Sequence, residues 1–186
     1  MRAYDAMCNG ERYCINDPEL VEMRFKTREL IDQMNQLGPR EGERQYQLLQ
    51  QLCGSIGDDI HIEKPLHIDY GSNIHLGNHV FINFNWVVLD CCTVNIGDHV
   101  FIGPNVSLYT AHHPLDAETR DQHIGFAEPI TIGNHVWIGG NTTILPGVTI
   151  GDGAVIGAGS LVTRDIKPGM LAVGQPCREI RKAEAR

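Results

Sequence analysis

Apolar residues recur at every sixth position between residues 130 and 166. A first series is small or β-branched, and a second apolar series follows two positions later. The first is Ile130, Val136, Thr142, Val148, Ala154, Ser160 and Ile166; the second is Ile132, Ile138, Ile144, Ile150, Ile156 and Val162. A period of six is neither the 3.6-residue period of a helix nor the alternation of a lone strand, so the stretch is an internal repeat.

This spacing predicts short strands separated by tight turns. Residues i and i+2 of a strand point to the same face, and the Gly and Asn residues between the apolar pairs tolerate the turns. Three strand-turn units close a triangular coil, and stacked coils bury the apolar column. A β-sandwich with Gly-rich turns fits less well, because sandwich turns recur every 8–12 residues.

A weaker copy of the repeat precedes this stretch. It runs through Ile62, Ile68, Ile74, Val80 and Trp86, slips by two residues, and resumes at Val88, Val94, Val100 and Val106. The slip predicts an irregular coil or bulge around Trp86 to Cys92. The repeat then stops, and residues 109–129 form a polar, His-rich segment. A loop of this length inside a regular solenoid is usually functional.

Two helices are predicted before the repeat. Asp17-Pro18-Glu19 reads as a helix start and Leu37-Gly38-Pro39 as its stop, and a second helix is predicted over about 41 to 53. The apolar stripe of the first helix is Val21, Phe25, Leu30, Ile31 and Met34; that of the second is Tyr46, Leu49, Leu52 and Cys53. We therefore predict a helical cap over 1–56, a β-helix over 57–170 with a loop at 109–129, and a C-terminal tail over 171–186.

Charge and composition exclude several functions. The formal net charge of −8 over 186 residues argues against nucleic acid and anionic membranes as partners, and requires a local basic cluster for any anionic ligand. No apolar run is long enough for a signal or membrane segment. The six cysteines lack a CxxC spacing, which favours reduced thiols in a cytoplasmic protein.

Several polar residues are candidates for chemistry. His112-His113-Pro114 lies where the loop begins, which suits a general base, although position alone favours solvated loop histidines. His75 and His79 are interpreted as surface histidines in turns. Asn83 and Asn85 lie where the repeat tolerates Gly, either to orient a hydroxyl or merely to make a turn.

Two further features suit a ligand with an extended arm and phosphates. Trp137, beside Gly139-Gly140, would form a flat wall, or else pack between subunits. The basic residues near the end of the chain are Arg164, Arg178, Arg181 and Lys182. They suit phosphate binding, with a solvated basic tail as the alternative.

Together these motifs resemble the hexapeptide-repeat acyltransferases with a left-handed parallel β-helix. The resemblance is to the maltose, galactoside and nodulation-type sugar O-acetyltransferases and covers nearly the whole chain. It is carried by DPELVEMRFKTRELIDQMN, DYGSNIHLGNHVFINFN, YTAHHP, the run from PITIGNHVWIGG to LVTRDI, and GQPCREIR. It implies a mainly β, homotrimeric enzyme with active sites between subunits, which transfers acetyl from acetyl-coenzyme A to a sugar hydroxyl without an acyl-enzyme or a metal.

The resemblance also implies roles for individual residues. His113 is the expected base, and the residues expected at the acceptor are Asp17, Asp69, Asn83, Asp90 and Cys91. The backbone N–H near Gly140 would stabilise the oxyanion. Trp137 and Ala158 would flank the pantetheine arm, and the residues expected at the coenzyme phosphates are Thr163, Arg164, Arg178 and Arg181. Gly125 and Cys91-Cys92 stand where relatives often carry acids, so the acceptor sugar is not implied.

Other functions on the same fold remain alternatives. A zinc carbonic anhydrase needs three converging histidines, but the next histidine after His113 is His123, and Ala117 and Glu118 occupy the required spacing. A streptogramin-type xenobiotic acetyltransferase shares the histidine but typically lacks the helical cap. A non-catalytic β-helix scaffold would lose nothing when His113 is replaced.

Overall fold

The protein is a parallel β-solenoid of about six coils with helices at its N-terminal end. The structure, a computed structural model, describes residues 2–184. The helices are α1 (Ala3–Cys8), α2 (Pro18–Asn35), α3 (Gly42–Leu52) and α4 (Ala117–Asp121). The solenoid has three parallel sheets, and buried Val, Leu and Ile side chains fill the space between them. The predicted mainly β, parallel β-helix fold is confirmed.

Each of the first five coils contributes one strand to each sheet, and the last coil adds a strand to sheet 2. Sheet 1 contains β2 (Ser55–Ile56), β5 (Ile74–Leu76), β8 (Val94–Ile96), β13 (Ile130–Ile132) and β16 (Thr149–Ile150). Sheet 2 contains β3 (His61–Ile62), β6 (Phe81–Ile82), β9 (Phe101–Ile102), β14 (Trp137–Ile138), β17 (Val155–Ile156), β19 (Met170–Val173) and the antiparallel β20 (Arg178–Lys182). Sheet 3 contains β4 (Leu66–Ile68), β7 (Trp86–Leu89), β10 (Ser107–Tyr109), β15 (Thr143–Ile144) and β18 (Leu161–Val162).

Three corners join these sheets. The first corner connects sheet 1 to sheet 2, the second corner connects sheet 2 to sheet 3, and the third corner leads from sheet 3 to sheet 1 of the next coil. Stacked residues are 18 apart in the later coils, as for Asn134 and Asp152, but 20 apart in the early coils, as for Asn78 and Asp98. The two additional residues lie at the third corner, between β4 and β5 and again between β7 and β8.

This longer corner explains the slip in the repeat. The inward-facing series passes from Leu66 to Ile74 and from Trp86 to Val94, with an eight-residue step each time. The predicted irregularity around Trp86 to Cys92 is confirmed, and the structure adds an equal irregularity one coil earlier. The repeat also starts earlier than Ile62, because β2 already pairs with β5.

The two predicted helices are confirmed with small differences. Asp17 caps α2 by accepting a 2.9 Å hydrogen bond from the Glu19 N–H, and α2 ends at Asn35, just before Leu37-Gly38-Pro39. Phe25 was wrongly assigned to the buried stripe: it is 55% exposed, and the buried face includes Leu20 and Thr27 instead. Thr27 belongs to the buried face because its hydroxyl donates a hydrogen bond to the carbonyl oxygen of Tyr70 on the solenoid. α1 was not predicted.

Candidate active site

The third corner contains polar residues or additional chain in each of the first three coils. In the first two coils it holds Asp69-Tyr70 and Asp90-Cys91, and in the third coil the chain leaves the solenoid after β10 as a loop that returns at β13. Three successive coils therefore place additional chain at one edge of the solenoid. The loop lies next to the two longer corners.

A small antiparallel sheet shapes this loop. β11 (Ala111–His112) pairs with β12 (Ile124–Ala127), and β1 (Tyr13–Cys14), which precedes α2, pairs with the other edge of β12. The N–H of Ile15 extends the pairing by donating to the His123 carbonyl at 2.9 Å. The helical cap and the loop are thus hydrogen-bonded to each other, although more than a hundred residues separate them.

His113 follows β11 directly and is held in one orientation. Its Nδ1 lies 3.1 Å from the carbonyl oxygen of Ile124. A carbonyl can only accept a hydrogen bond, so Nδ1 carries a proton, and in the neutral imidazole the lone pair is on Nε2. The adjacent His112 is held differently, with Nε2 at 3.5 Å from Glu128 and its ring stacked on Phe126.

A polar cavity of about 290 Å³ adjoins His113. The side chains around it include Tyr13, Asn16, Arg24, Asp69, Cys91 and His113. Arg24 is fixed by donating to the Tyr70 hydroxyl at 2.5 Å and to the Ile15 carbonyl at 2.8 Å. The structure therefore brings together three of the residues singled out from the sequence: Asp69, Cys91 and His113.

Burial controls the ionisation of this cavity. Desolvation raises the pKa of Asp69, an effect that the positive charges of Arg24 and Arg28 oppose. Desolvation also raises the pKa of Cys91 to about 12, so its thiol is neutral at physiological pH. The cavity combines one carboxyl group, one neutral thiol and two guanidinium groups.

Three residues expected at the acceptor do not line this cavity: Asp17, Asp90, and Asn83, which lies at the second corner. Asp17 uses its carboxylate to cap α2, whereas its neighbour Asn16 reaches the cavity. Asp90 is fully buried: Oδ1 accepts from the Tyr70 N–H at 2.8 Å, and Oδ2 has no hydrogen-bond partner among residues 2–184. Burial raises the pKa of Asp90 to about 7. Asp90 therefore stabilises the third corner through its buried hydrogen bond with the Tyr70 backbone.

A second cavity, of about 510 Å³, lies along the outside of sheet 2 and the second corner. Its apolar stripe comprises Phe81, Phe101 and Trp137, of which Phe101 and Trp137 are 55% and 57% exposed. Asn83, Gly140 and Ala158 complete the corner side. Asn83 therefore lies with the tryptophan, and not with Asp69.

Glycines keep this second cavity open and its backbone accessible. A β-carbon on Gly103 would lie 2.5 Å from the backbone nitrogen of Gly140, and one on Gly139 would lie 2.5 Å from that of Ala158. In residues 2–184, the N–H groups of Gly140 and Ala158 donate no hydrogen bond. The equivalent N–H of Phe84 is capped by Asn83, and Pro104 has none. Two stacked amides are thus free for a ligand.

The predicted phosphate-binding residues lie at the C-terminal end of the solenoid. A cavity of about 330 Å³ contains Arg164, Lys167 and Arg178 in its lining. Thr163 is the exposed neighbour of Arg164, and Arg181 pairs in β20 with Leu171, which belongs to the tryptophan cavity. Arg181 is therefore next to the end of the Trp137 stripe, whereas Thr163 and Arg164 follow β18 at the third corner.

The remaining histidines form no metal site. His79 is exposed and stacks on His99 at 4.6 Å, and His99 stacks on His135 at 4.9 Å. His75 was predicted to be in a turn but is the outward-facing middle residue of β5. Its Nδ1 lies 2.9 Å from Ser55 Oγ. Across residues 2–184, no three His, Cys, Asp or Glu side chains are grouped to hold a metal ion.

None of the helices in the described part of the chain has the length and apolarity needed to cross a membrane.

Sequence reasoning missed Tyr13, Asn16, Arg24 and Arg28. The available signal was the spacing of Arg24 and Arg28, four residues apart and hence on one face of α2. Tyr13 gave no signal, because its position depends on pairing with the distant strand β12.

Comparison with known proteins agrees with this architecture. Residues 6–57 match the maltose acetyltransferase hexapeptide capping motif, and residues 129–164 match the bacterial transferase hexapeptide (six repeats). The galactoside O-acetyltransferase of Escherichia coli (strain K12) is 42% identical over 185 residues, which cover 100% of this chain and 87% of the relative.

Two solved structures superimpose over almost the whole chain. One is a maltose O-acetyltransferase from Clostridium difficile 630, with a TM-score of 0.97, 45% identity, and coverage of 100% of this chain and 99% of that one. The other is a galactoside acetyltransferase in complex with coenzyme A, with a TM-score of 0.93, 42% identity, and coverage of 99% and 92%. The chain therefore belongs to the acetyl-coenzyme A-dependent hexapeptide-repeat sugar O-acetyltransferases, a family of acyltransferases.

Proposed function

We propose that this enzyme transfers the acetyl group of acetyl-coenzyme A directly to a sugar hydroxyl, with His113 as the general base. The observation that carries the proposal is the hydrogen bond between His113 Nδ1 and the Ile124 carbonyl at the edge of a polar cavity. It fixes the neutral tautomer in which the lone pair is on Nε2, the nitrogen that would act as the general base.

The proposed reaction proceeds through one tetrahedral intermediate. His113 Nε2 takes the proton of the acceptor hydroxyl while its oxygen attacks the thioester carbonyl carbon. The carbonyl oxygen becomes an oxyanion, which the free N–H of Gly140 stabilises. The intermediate then collapses, the C–S bond breaks, and the departing thiolate of coenzyme A receives the proton held by His113.

On the acceptor side, we infer that Asp69 and Cys91 contact the sugar, and that Asn83 orients a hydroxyl from the second corner. Asp69 is half-buried near two guanidinium groups, so its carboxylate can accept hydrogen bonds from sugar hydroxyls. Asp90 takes a positioning role, since it holds the Tyr70 backbone. A role for Asp17 at the acceptor remains a prediction.

On the coenzyme side, Trp137 and Ala158 are proposed to flank the pantetheine arm. The stacked glycines let backbone approach closely, and the Ala158 N–H is a free donor for an amide carbonyl of that arm. Thr163, Arg164, Arg178 and Arg181 are proposed to bind the phosphates, since guanidinium groups suit phosphate oxygens. Their exposure at the C-terminal end of the solenoid supports this assignment.

We further infer that each active site is built from two chains of a homotrimer. His113 belongs to the third corner, whereas Trp137 and Gly140 belong to the second, and the cavities at these corners share no lining residue. A second copy that sets its second corner against the third corner of the first unites both halves. Contact between two different surfaces generates a closed ring when the rotation between copies closes, as a rotation of 120° does in a trimer.

The test is a thiol-release assay with acetyl-coenzyme A and a panel of mono- and disaccharides. We expect His113→Ala to lower kcat about 10²–10⁴-fold with coenzyme binding nearly unchanged, since proton transfer by a positioned side chain contributes that much. His112→Ala is the matched control. No turnover with any sugar despite coenzyme binding would redirect the proposal to another hydroxyl acceptor, such as an antibiotic.

A further inference from the structure

A further polar cavity, of about 410 Å³, adjoins the cavity of about 290 Å³ beside His113, which we call the acceptor cavity. It lies between α2 and sheet 3, and both cavities are lined by Arg28, Asp69 and Leu89. Its volume is within the range of about 300–1,000 Å³ that is typical of small-molecule sites. The proposed transfer reaction uses only the smaller cavity beside His113.

The lining of this cavity combines polar side chains on one side with apolar side chains on the other, as a sugar ring requires. Arg28, Asp32 and Asn35 project from one face of α2, at spacings of four and three residues. Val87 and Leu89 form an apolar floor on β7. A pyranose ring has apolar C–H faces and a rim of hydroxyl groups, so it matches an apolar floor with donors and acceptors at the edge.

Arg28 stands at the junction of the two cavities with its donors unused. Its side chain makes no hydrogen bond or ion pair to any of residues 2–184, although it is near enough to lower the pKa of Asp69. Arg24, one turn earlier, is fully engaged with Tyr70 and Ile15. A guanidinium group offers five N–H donors, so Arg28 can bind a ligand that crosses the junction.

We propose that the enzyme selects acceptors of at least two sugar units. The unit to be acetylated occupies the cavity of about 290 Å³ beside His113, and the second unit occupies the α2 cavity. Arg28 donates to an oxygen of the second unit and so determines specificity. This inference rests on the proposed sugar acetylation.

The test compares a monosaccharide with a disaccharide of the same sugar. For the wild type we expect kcat/KM to be at least about tenfold higher for the disaccharide, since one hydrogen bond from a charged donor is worth that much. Arg28→Gln should abolish this preference through KM, by lowering kcat/KM for the disaccharide about tenfold more than kcat/KM for the monosaccharide. Lys26→Gln, which removes an exposed charge from α2 outside both cavities, is the matched control.

A second variant tests the cavity independently of the arginine. Asp32→Phe places a bulky group at an exposed position of α2 inside the α2 cavity. It should remove the disaccharide preference and leave monosaccharide turnover intact.

Equal kcat/KM for both acceptors in the wild type would overturn the inference, as would an equal loss on both in Arg28→Gln. A change in oligomeric state of Arg28→Gln by sedimentation would also overturn it, because a second copy would then fill the cavity. Failure of the underlying function gives a different result: no sugar of either size is acetylated.

Discussion

Tyr13 and Gly125 are direct partners across the β1–β12 pairing, and the tyrosine ring occupies the space where a side chain at residue 125 would lie. A β-carbon on Gly125 would be 2.8 Å from Tyr13 Cζ. The segment from Tyr13 to Asn16 thereby forms one wall of the cavity beside His113. The absence of an acid at position 125 is thus coupled to the presence of an aromatic ring at position 13.

Gly125→Ala should destabilise the protein by about 1–3 kcal/mol, because the new methyl group overlaps the Tyr13 ring. In a Tyr13→Ala background the same change should cost little, so a double-mutant cycle in urea measures the coupling. Gly42→Ala is the control, since a β-carbon there meets nothing within 4 Å. Equal costs in both backgrounds would contradict the contact.

The two tryptophans should separate coenzyme binding from stability. Trp137→Ala should raise the KM for acetyl-coenzyme A about tenfold, since it removes an exposed aromatic wall, and change the free energy of unfolding by less than about 0.5 kcal/mol. Trp86 is fully buried, so Trp86→Ala should cost about 3–5 kcal/mol. Steady-state kinetics and urea denaturation measure the two effects. A large loss of stability in Trp137→Ala would show that the Trp137 side chain serves packing and not coenzyme binding.

Activity should rise above that of either variant when two impaired variants are mixed. His113→Ala and Trp137→Ala chains, unfolded together and refolded, should recover about one quarter of wild-type turnover at low acetyl-coenzyme A, because that share of sites receives one intact residue from each chain. Each variant refolded alone is the control. If one chain carried a complete site, the mixture would show only the mean of the two variants.

Asp17 can be tested for a role beyond helix capping. Asp17→Ala should cost about 0.5–2 kcal/mol, since the Glu19 N–H loses its acceptor. Asp17→Ser keeps a capping oxygen and should retain stability. If Asp17→Ser retains both stability and kcat/KM, the carboxylate serves the helix alone; a selective loss of kcat/KM would support acceptor contact.

Asp90 should make stability depend on pH. Its pKa is raised to about 7 by burial, above the ordinary value of about 4, so the folded state binds the proton more tightly than the unfolded state. The stabilisation is complete below about pH 4 and is lost as the pH rises to about 7. The stability of Asp90→Asn relative to the wild type should therefore increase over this interval.

Urea unfolding at several pH values measures this difference. Asp121→Asn makes the same substitution on the exposed surface of α4 and is the matched control. A difference between Asp90→Asn and the wild type that stays constant with pH would show that Asp90 does not titrate in this way.

The periodic part of the fold was predictable because its signals are local. The columns beginning at Ile130 and Ile132 and the Asp17 cap of α2 each depend on neighbours within a few positions or one coil. Phe25 was misjudged because helical spacing alone does not reveal where α2 rests on the solenoid. The Tyr13–Gly125 pairing was unpredictable, because it joins segments with no shared pattern. The gathering of Asp69, Cys91 and His113 required knowing which corner each longer turn occupies.

The longer third corner has an evolutionary consequence. Sheets 1 and 2 and the first two corners keep a strict residue count, so an insertion there would shift every inward-facing residue of that coil. At the third corner two additional residues, or a whole loop, leave the stacking of the apolar columns intact. Changes in length and side chain are thus tolerated at the edge that carries His113 and its cavity. The half proposed to bind the coenzyme can stay constant while the half proposed to bind the acceptor diversifies.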